Sequence, residues 1–162
     1  MPIPFRKASQ QDPDIRCAYL EFVETDKTVY GGLLITDGSG LPKEFVYNEI
    51  KVPTGVLWPT ETLRRTAASS LAHSLFDACK ENATLLVASV RLRQNGFDPA
   101  GFTVTLPFAL VDGDLIEWIG LEPGAGHAAS RLLQDLLKKK LMEESLSRIV
   151  TALAEVYGLP EK

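Results

Sequence analysis

The stretch from Ile15 to Ile50, IRCAYLEFVETDKTVYGGLLITDGSGLPKEFVYNEI, decides the fold. Cys17, Tyr19 and Glu21 point one way and Ala18, Leu20 and Phe22 the other, an alternation that suits a strand covered mainly on one side. Thr25 to Lys27 supplies a short polar turn. Val29 to Thr36 is a near-continuous apolar run, which predicts a buried strand with a bulge or a close backbone neighbour at Gly31 and Gly32. Asp37-Gly38-Ser39-Gly40 is turn chemistry. Lys43 to Ile50 alternates again, with Phe45, Tyr47 and Glu49 on one face, so the last two strands form a hairpin.

Outward from this block, Pro53, Gly55 and Pro59 break the chain ahead of Leu63, Ala67, Leu71, Leu75 and Ala78, whose spacing of four predicts a helix. Thr84 to Leu92 is β-branched and apolar at its centre and reads as a fourth strand. Phe102 to Val111 and Leu115 to Gly120 flank Asp112-Gly113, a strong hairpin signal, and Pro107 places its strand at an edge or a bulge. From Ala129 to Tyr157 the apolar residues keep a helical period up to Gly158, as one long helix or as two with a break near Lys140. The expected class is therefore α+β: a mainly antiparallel sheet with two helices in the order βββα-βββα, the C-terminal helix long. Residues 1–14 read as a flexible N-terminal arm, 15–158 as a single domain and 159–162 as a tail.

Composition excludes several function classes. Of 162 residues, 17 are basic and 21 acidic, giving a net charge of -4 with no basic half, so nucleic acid is not expected as the primary partner. No stretch has the roughly 18 to 20 apolar residues of a membrane span, and the first residues lack the apolar centre of a signal peptide. Cys17 and Cys79 have neither disulfide-framework nor zinc spacing. A cytoplasmic protein without metal or cofactor is the expectation.

Three groups of residues are candidates for function. The first comes from topology: three antiparallel strands, a helix and a further strand resemble the beginning of a ribonuclease-H-like fold, whose chemistry gathers carboxylates around two metal ions. Glu21 on the first strand and Asp77 and Glu81 late in the helix would supply them, yet Thr84 to Leu92 has no acid at its end, and solvated acids are the preferred reading. The second is the run Glu122-Pro-Gly-Ala-Gly-His127. Gly124, Gly126, His127 and Arg131 would offer an anion the free amides of a helix start, although the spacing is neither a P-loop nor a dinucleotide motif and a plain turn is preferred. The third is apolar: Leu132, Leu136, Leu137, Leu141 and Met142 spread over more of the helix than one sheet contact needs, and Trp58 and Trp118 sit where aromatic residues anchor interfaces.

An empty catalytic inventory on a complete fold signal points to a non-catalytic protein-binding domain. It would act as a homo-oligomer or as a small subunit of a larger bacterial assembly. A metal-dependent ribonuclease-H-like nuclease, or an inactive relative, and a small-anion binder are the alternatives.

Overall fold

The computed structural model describes residues 15–25, 27–52, 59–99, 102 and 105–159; the expected arm 1–14, Trp58 and the last three residues of the expected tail lie outside them. The elements are β1 (Arg16–Thr25), β2 (Thr28–Asp37), β3 (Pro42–Lys51), α1 (Thr60–Ala78), β4 (Leu85–Ser89), a 3-10 helix (Val90–Asn95), β5 (Phe108–Asp112), β6 (Leu115–Ile119), α2 (Ala128–Lys138) and α3 (Leu141–Tyr157). They form a six-stranded sheet in the order β3-β2-β1-β4-β5-β6.

The expected α+β class is found, but three of its details are corrected. The sheet is mixed rather than mainly antiparallel: β4 lies between β1 and β5 and runs parallel to both, while the expected hairpin across Asp112-Gly113 is β5–β6. Parallel neighbours require a crossover, and the 3-10 helix Val90–Asn95 begins the one between β4 and β5. There are three α-helices, because Lys140 adopts a left-handed φ of 55° and separates α2 from α3 at the break foreseen near that residue. Pro107 precedes an interior strand, where its missing N–H costs nothing and its carbonyl accepts from the Leu86 amide at 2.9 Å.

β1 is covered on both faces, not mainly one. Ala18, Leu20 and Phe22 meet Leu71, Ala72 and Leu75 of α1, together with Leu33, Ile35, Leu86 and Leu110. Cys17 and Tyr19 meet α2 and α3 with Leu34, Leu85, Val87, Ala109 and Val111. Strands buried on both sides read as unbroken apolar runs, which explains Leu33–Ile35 and Leu85–Ala88. Each fully buried leucine contributes about 2 kcal/mol, so the helices are held chiefly by these two layers.

Gly32 is the point of closest helix approach: a Cβ there would lie 2.6 Å from Ile149 Cγ2 and 3.0 Å from the Phe45 ring. The β-branched Ile149 has little rotamer freedom to yield. Gly32→Ala is expected to cost about 1–3 kcal/mol in urea unfolding. Gly124→Ala, where no atom lies within 4 Å, should shift stability by less than about 0.5 kcal/mol.

Candidate functional site

In an open sheet with parallel strands, the crevice forms beyond their carboxyl ends, where neighbouring strands connect in opposite directions. Here that point lies between β1 and β4. Leu20 is opposite Ala88, which sets Glu21 beside Ser89, the last residue of β4. Ser89 ends the strand by turning its hydroxyl back: Oγ accepts the Arg91 amide at 3.2 Å and starts the 3-10 helix. The same oxygen accepts Nε of Arg91 at 3.1 Å, which fixes the guanidinium so that Nη2 donates to Glu21 Oε2 at 3.1 Å. The other carboxylate oxygen accepts the Phe22 amide at 3.1 Å. Glu21 is buried, whereas the Arg91 side chain is 61% exposed. Burial pushes the Glu21 carboxyl above its ordinary range, and the Arg91 charge and the Phe22 amide offset only part of that.

Further ion pairs ring the same end of the sheet. Glu24, near the end of β1, meets Arg64 of α1, and Arg93 grips Glu117 of β6 through two bonds of 2.8 and 2.9 Å. That fork holds Glu117 below and Arg93 above their ordinary pKa values. Arg64, Arg65, Arg93, Gly96 and Asp98 line a cavity of about 350 Å³ between α1 and the 3-10 helix. This cluster of alternating charges was not foreseen from the sequence. The only signal for it was Arg91 and Arg93 directly after an apolar run.

The three expected metal acids are not brought together. Glu81 pairs with Arg16 at 3.8 Å, at the opposite end of β1 and five residues from Glu21, about 17 Å at roughly 3.3 Å per residue. Asp77 is exposed late in α1. Among the described residues no group of three or more His, Cys, Asp or Glu side chains could hold a metal ion.

The expected anion site is occupied by the chain itself. His127 Nδ1 accepts the Ala129 amide at 3.0 Å and caps α2, while Gly124, Gly126 and Arg131 stand exposed around it. The expected interface residues are largely core. Leu132, Leu136 and Met142 are buried against the sheet, and Leu137, Leu141 and Trp118 are half-buried on the same cluster. Lys140 breaks the helix with a left-handed φ of 55°, and apolar residues of both α2 and α3 join the cluster on this face of the sheet.

Neither thiol is poised for nucleophilic work. Burial pushes Cys17 up to about 12, and burial with the Glu44 carboxylate, to which Sγ donates at 3.2 Å, pushes Cys79 up to about 11.

No protein-family model and no curated protein matches the sequence. Among solved structures, a protein of unknown function from Archaeoglobus fulgidus DSM 4304 superposes with a TM-score of 0.55 at 12% identity, over 88% of this chain and 98% of that one. Endonuclease V from Bacillus subtilis gives a TM-score of 0.40 at 13% identity, over 59% of this chain and 43% of the enzyme. Endonuclease V from Ciona intestinalis, solved with a 24mer DNA containing an inosine followed by a ribo-adenosine, gives 0.43 at 9% identity, over 78% and 55%. The first likeness is one of fold, and at TM-scores below 0.5 the other two carry nothing over to this chain.

The Glu21 geometry predicts a pH signature. A carboxyl whose pKa is raised by folding stabilises the native state fully below its unfolded value, near 4.5, and loses that contribution as pH rises through the folded value. Glu21→Gln is therefore expected to be more stable than the parent at pH 7–8 in urea titrations, with the gain vanishing below about pH 4.5. A constant difference across that window would contradict the assignment.

Proposed function

We propose that this chain is a non-catalytic binding domain, acting through protein contacts on a ribonuclease-H-like sheet. The observation that carries the reading is the pairing of Glu21 with Arg91. Glu21, the buried acid of the central strand, has both oxygens engaged, and a guanidinium stands where a divalent cation would have to approach. With Asp77 and Glu81 remote and both thiols protonated at neutral pH, the described residues supply no charge cluster for phosphoryl transfer and no activated nucleophile.

What the surface offers is aromatic and apolar. Tyr47 on β3 is 49% and Val156 at the end of α3 is 47% exposed. The Tyr47 ring stacks on Phe45 at 5.9 Å and meets Tyr157 edge-on at 5.9 Å, and Tyr157 lies 4.6 Å from Tyr30. A partly exposed tyrosine cluster of this kind suits protein recognition, where rigid amphipathic rings anchor the contact. Among the described residues no helix is long and apolar enough to cross a membrane, and free cysteines at Cys17 and Cys79 agree with a reducing cytoplasm.

The test is a nuclease assay on single- and double-stranded DNA and RNA, inosine-containing DNA included, with Mg²⁺ and Mn²⁺, alongside calorimetric metal titration. No cleavage above buffer and no heat of metal binding are expected. Metal-dependent cleavage that disappears in Glu21→Gln would overturn the reading.

A further inference from the structure

The cavity of about 350 Å³ between α1 and the 3-10 helix opens at the carboxyl ends of β1 and β4, where open sheets with parallel strands hold their ligands. Its volume lies within the roughly 300–1,000 Å³ of small-molecule sites. The side chains of Arg64, Arg65 and Arg93 line it. Arg93 gives Glu117 one bond from each Nη, and Arg64 gives Glu24 one bond from Nη2. Glu24 and Glu117 are not on the lining, so they fix two of the arginines from outside the cavity. A guanidinium has more N–H groups than such contacts consume. Arg64 Nε is buried without a hydrogen-bond partner among the described residues, a costly state for a donor. Arg65 is exposed and has neither an ion pair nor a hydrogen bond among the described residues. α1 begins beside them without a side-chain cap, because Pro59 occupies the N-cap, and an uncapped start adds the positive end of the helix dipole.

We infer that this cavity binds a small phosphate ester, its phosphoryl group held by Arg65 and the unspent N–H groups of Arg64 and Arg93, its organic part against Phe97 and Pro99. The inference goes beyond the protein-contact reading and does not rest on it. It concerns binding alone, with no transfer of the group.

Two features narrow the ligand class. Glu61 and Asp98 also line the cavity, and both are exposed. Three arginines against two acids leave one positive charge in excess on the lining, which suits a single anionic group. A polyanion would bring further phosphates against those acids and against a chain of net charge -4. The second feature is donor geometry. The terminal oxygens of a phosphoryl group accept from several planar forks at once, whereas a carboxylate is satisfied by one.

Calorimetric titration at low ionic strength tests this with glycerol 3-phosphate, inorganic phosphate, glycerate and a short single-stranded oligonucleotide as probes. Glycerol 3-phosphate is expected to bind saturably with a Kd below about 1 mM, and glycerate at least about tenfold more weakly. Arg65→Ala should weaken the ester about tenfold at an unchanged urea midpoint, and Arg65→Lys should recover only part, because lysine keeps the charge without the planar fork. The amide signals that shift on titration should fall within residues 60–65 and 91–98. No saturable binding of the ester, a Kd indifferent to Arg65→Ala, or shifts confined to another part of the chain would overturn the inference. Glycerate or inorganic phosphate binding as tightly as the ester would overturn the assignment of a phosphate ester. Tighter binding of the oligonucleotide would overturn it in favour of a nucleic-acid surface.

Discussion

The insertion of β4 parallel to β1 is the constraint on which the molecule depends. It converts a three-stranded antiparallel meander into a sheet whose first strand has neighbours on both edges and helices on both faces. A strand so enclosed must be apolar throughout or must neutralise what is not. β1 is apolar from Cys17 to Phe22 except at Glu21, and the same insertion brings Ser89 and Arg91 alongside to satisfy that carboxylate. The fold thus creates the burial problem and delivers its solution through one contact.

That solution also sets the chemistry. A carboxylate in this position, left open and joined by two others, would attract a divalent cation. An arginine within hydrogen-bond distance reverses the local field: a dication about 4 Å from a guanidinium meets a repulsion of roughly 8 kcal/mol at an effective dielectric near 20, before solvent at the exposed guanidinium reduces it. The next acids out, Glu24 and Glu117, are each engaged by an arginine as well. At the carboxyl end of the parallel strands, Glu21, Glu24 and Glu117 are thus each matched by an arginine.

The local elements were legible in the sequence because local chemistry makes them. The Asp37-to-Gly40 and Asp112-Gly113 turns, the leucine and alanine stripe of α1 and the stop at Gly158 all follow from turn geometry and helical period. Strand direction was not legible. Alternation along Leu85–Ser89 is the same whether its neighbour runs parallel or antiparallel, and the choice is settled by contacts between residues some 70 positions apart, such as Arg91 with Glu21. The candidate site failed with it, since Glu21 and Glu81 are both near β1 but at opposite ends. The cap by His127 escaped notice because histidine is not a common N-cap; a polar acceptor directly before a helical period was nonetheless the signal.

The helices and the sheet edge differ in how their surfaces can be covered. Helical apolar surface can be hidden by a kink that turns each segment onto the sheet, and Lys140 does this for α2 and α3. A sheet edge cannot be hidden by repacking side chains, because what it exposes is backbone. Only closure, a cover or charge removes it, and β3 carries charge of both signs in Lys43, Glu44, Glu49 and Lys51. Mixed charge along an edge disfavours indiscriminate pairing with other strands.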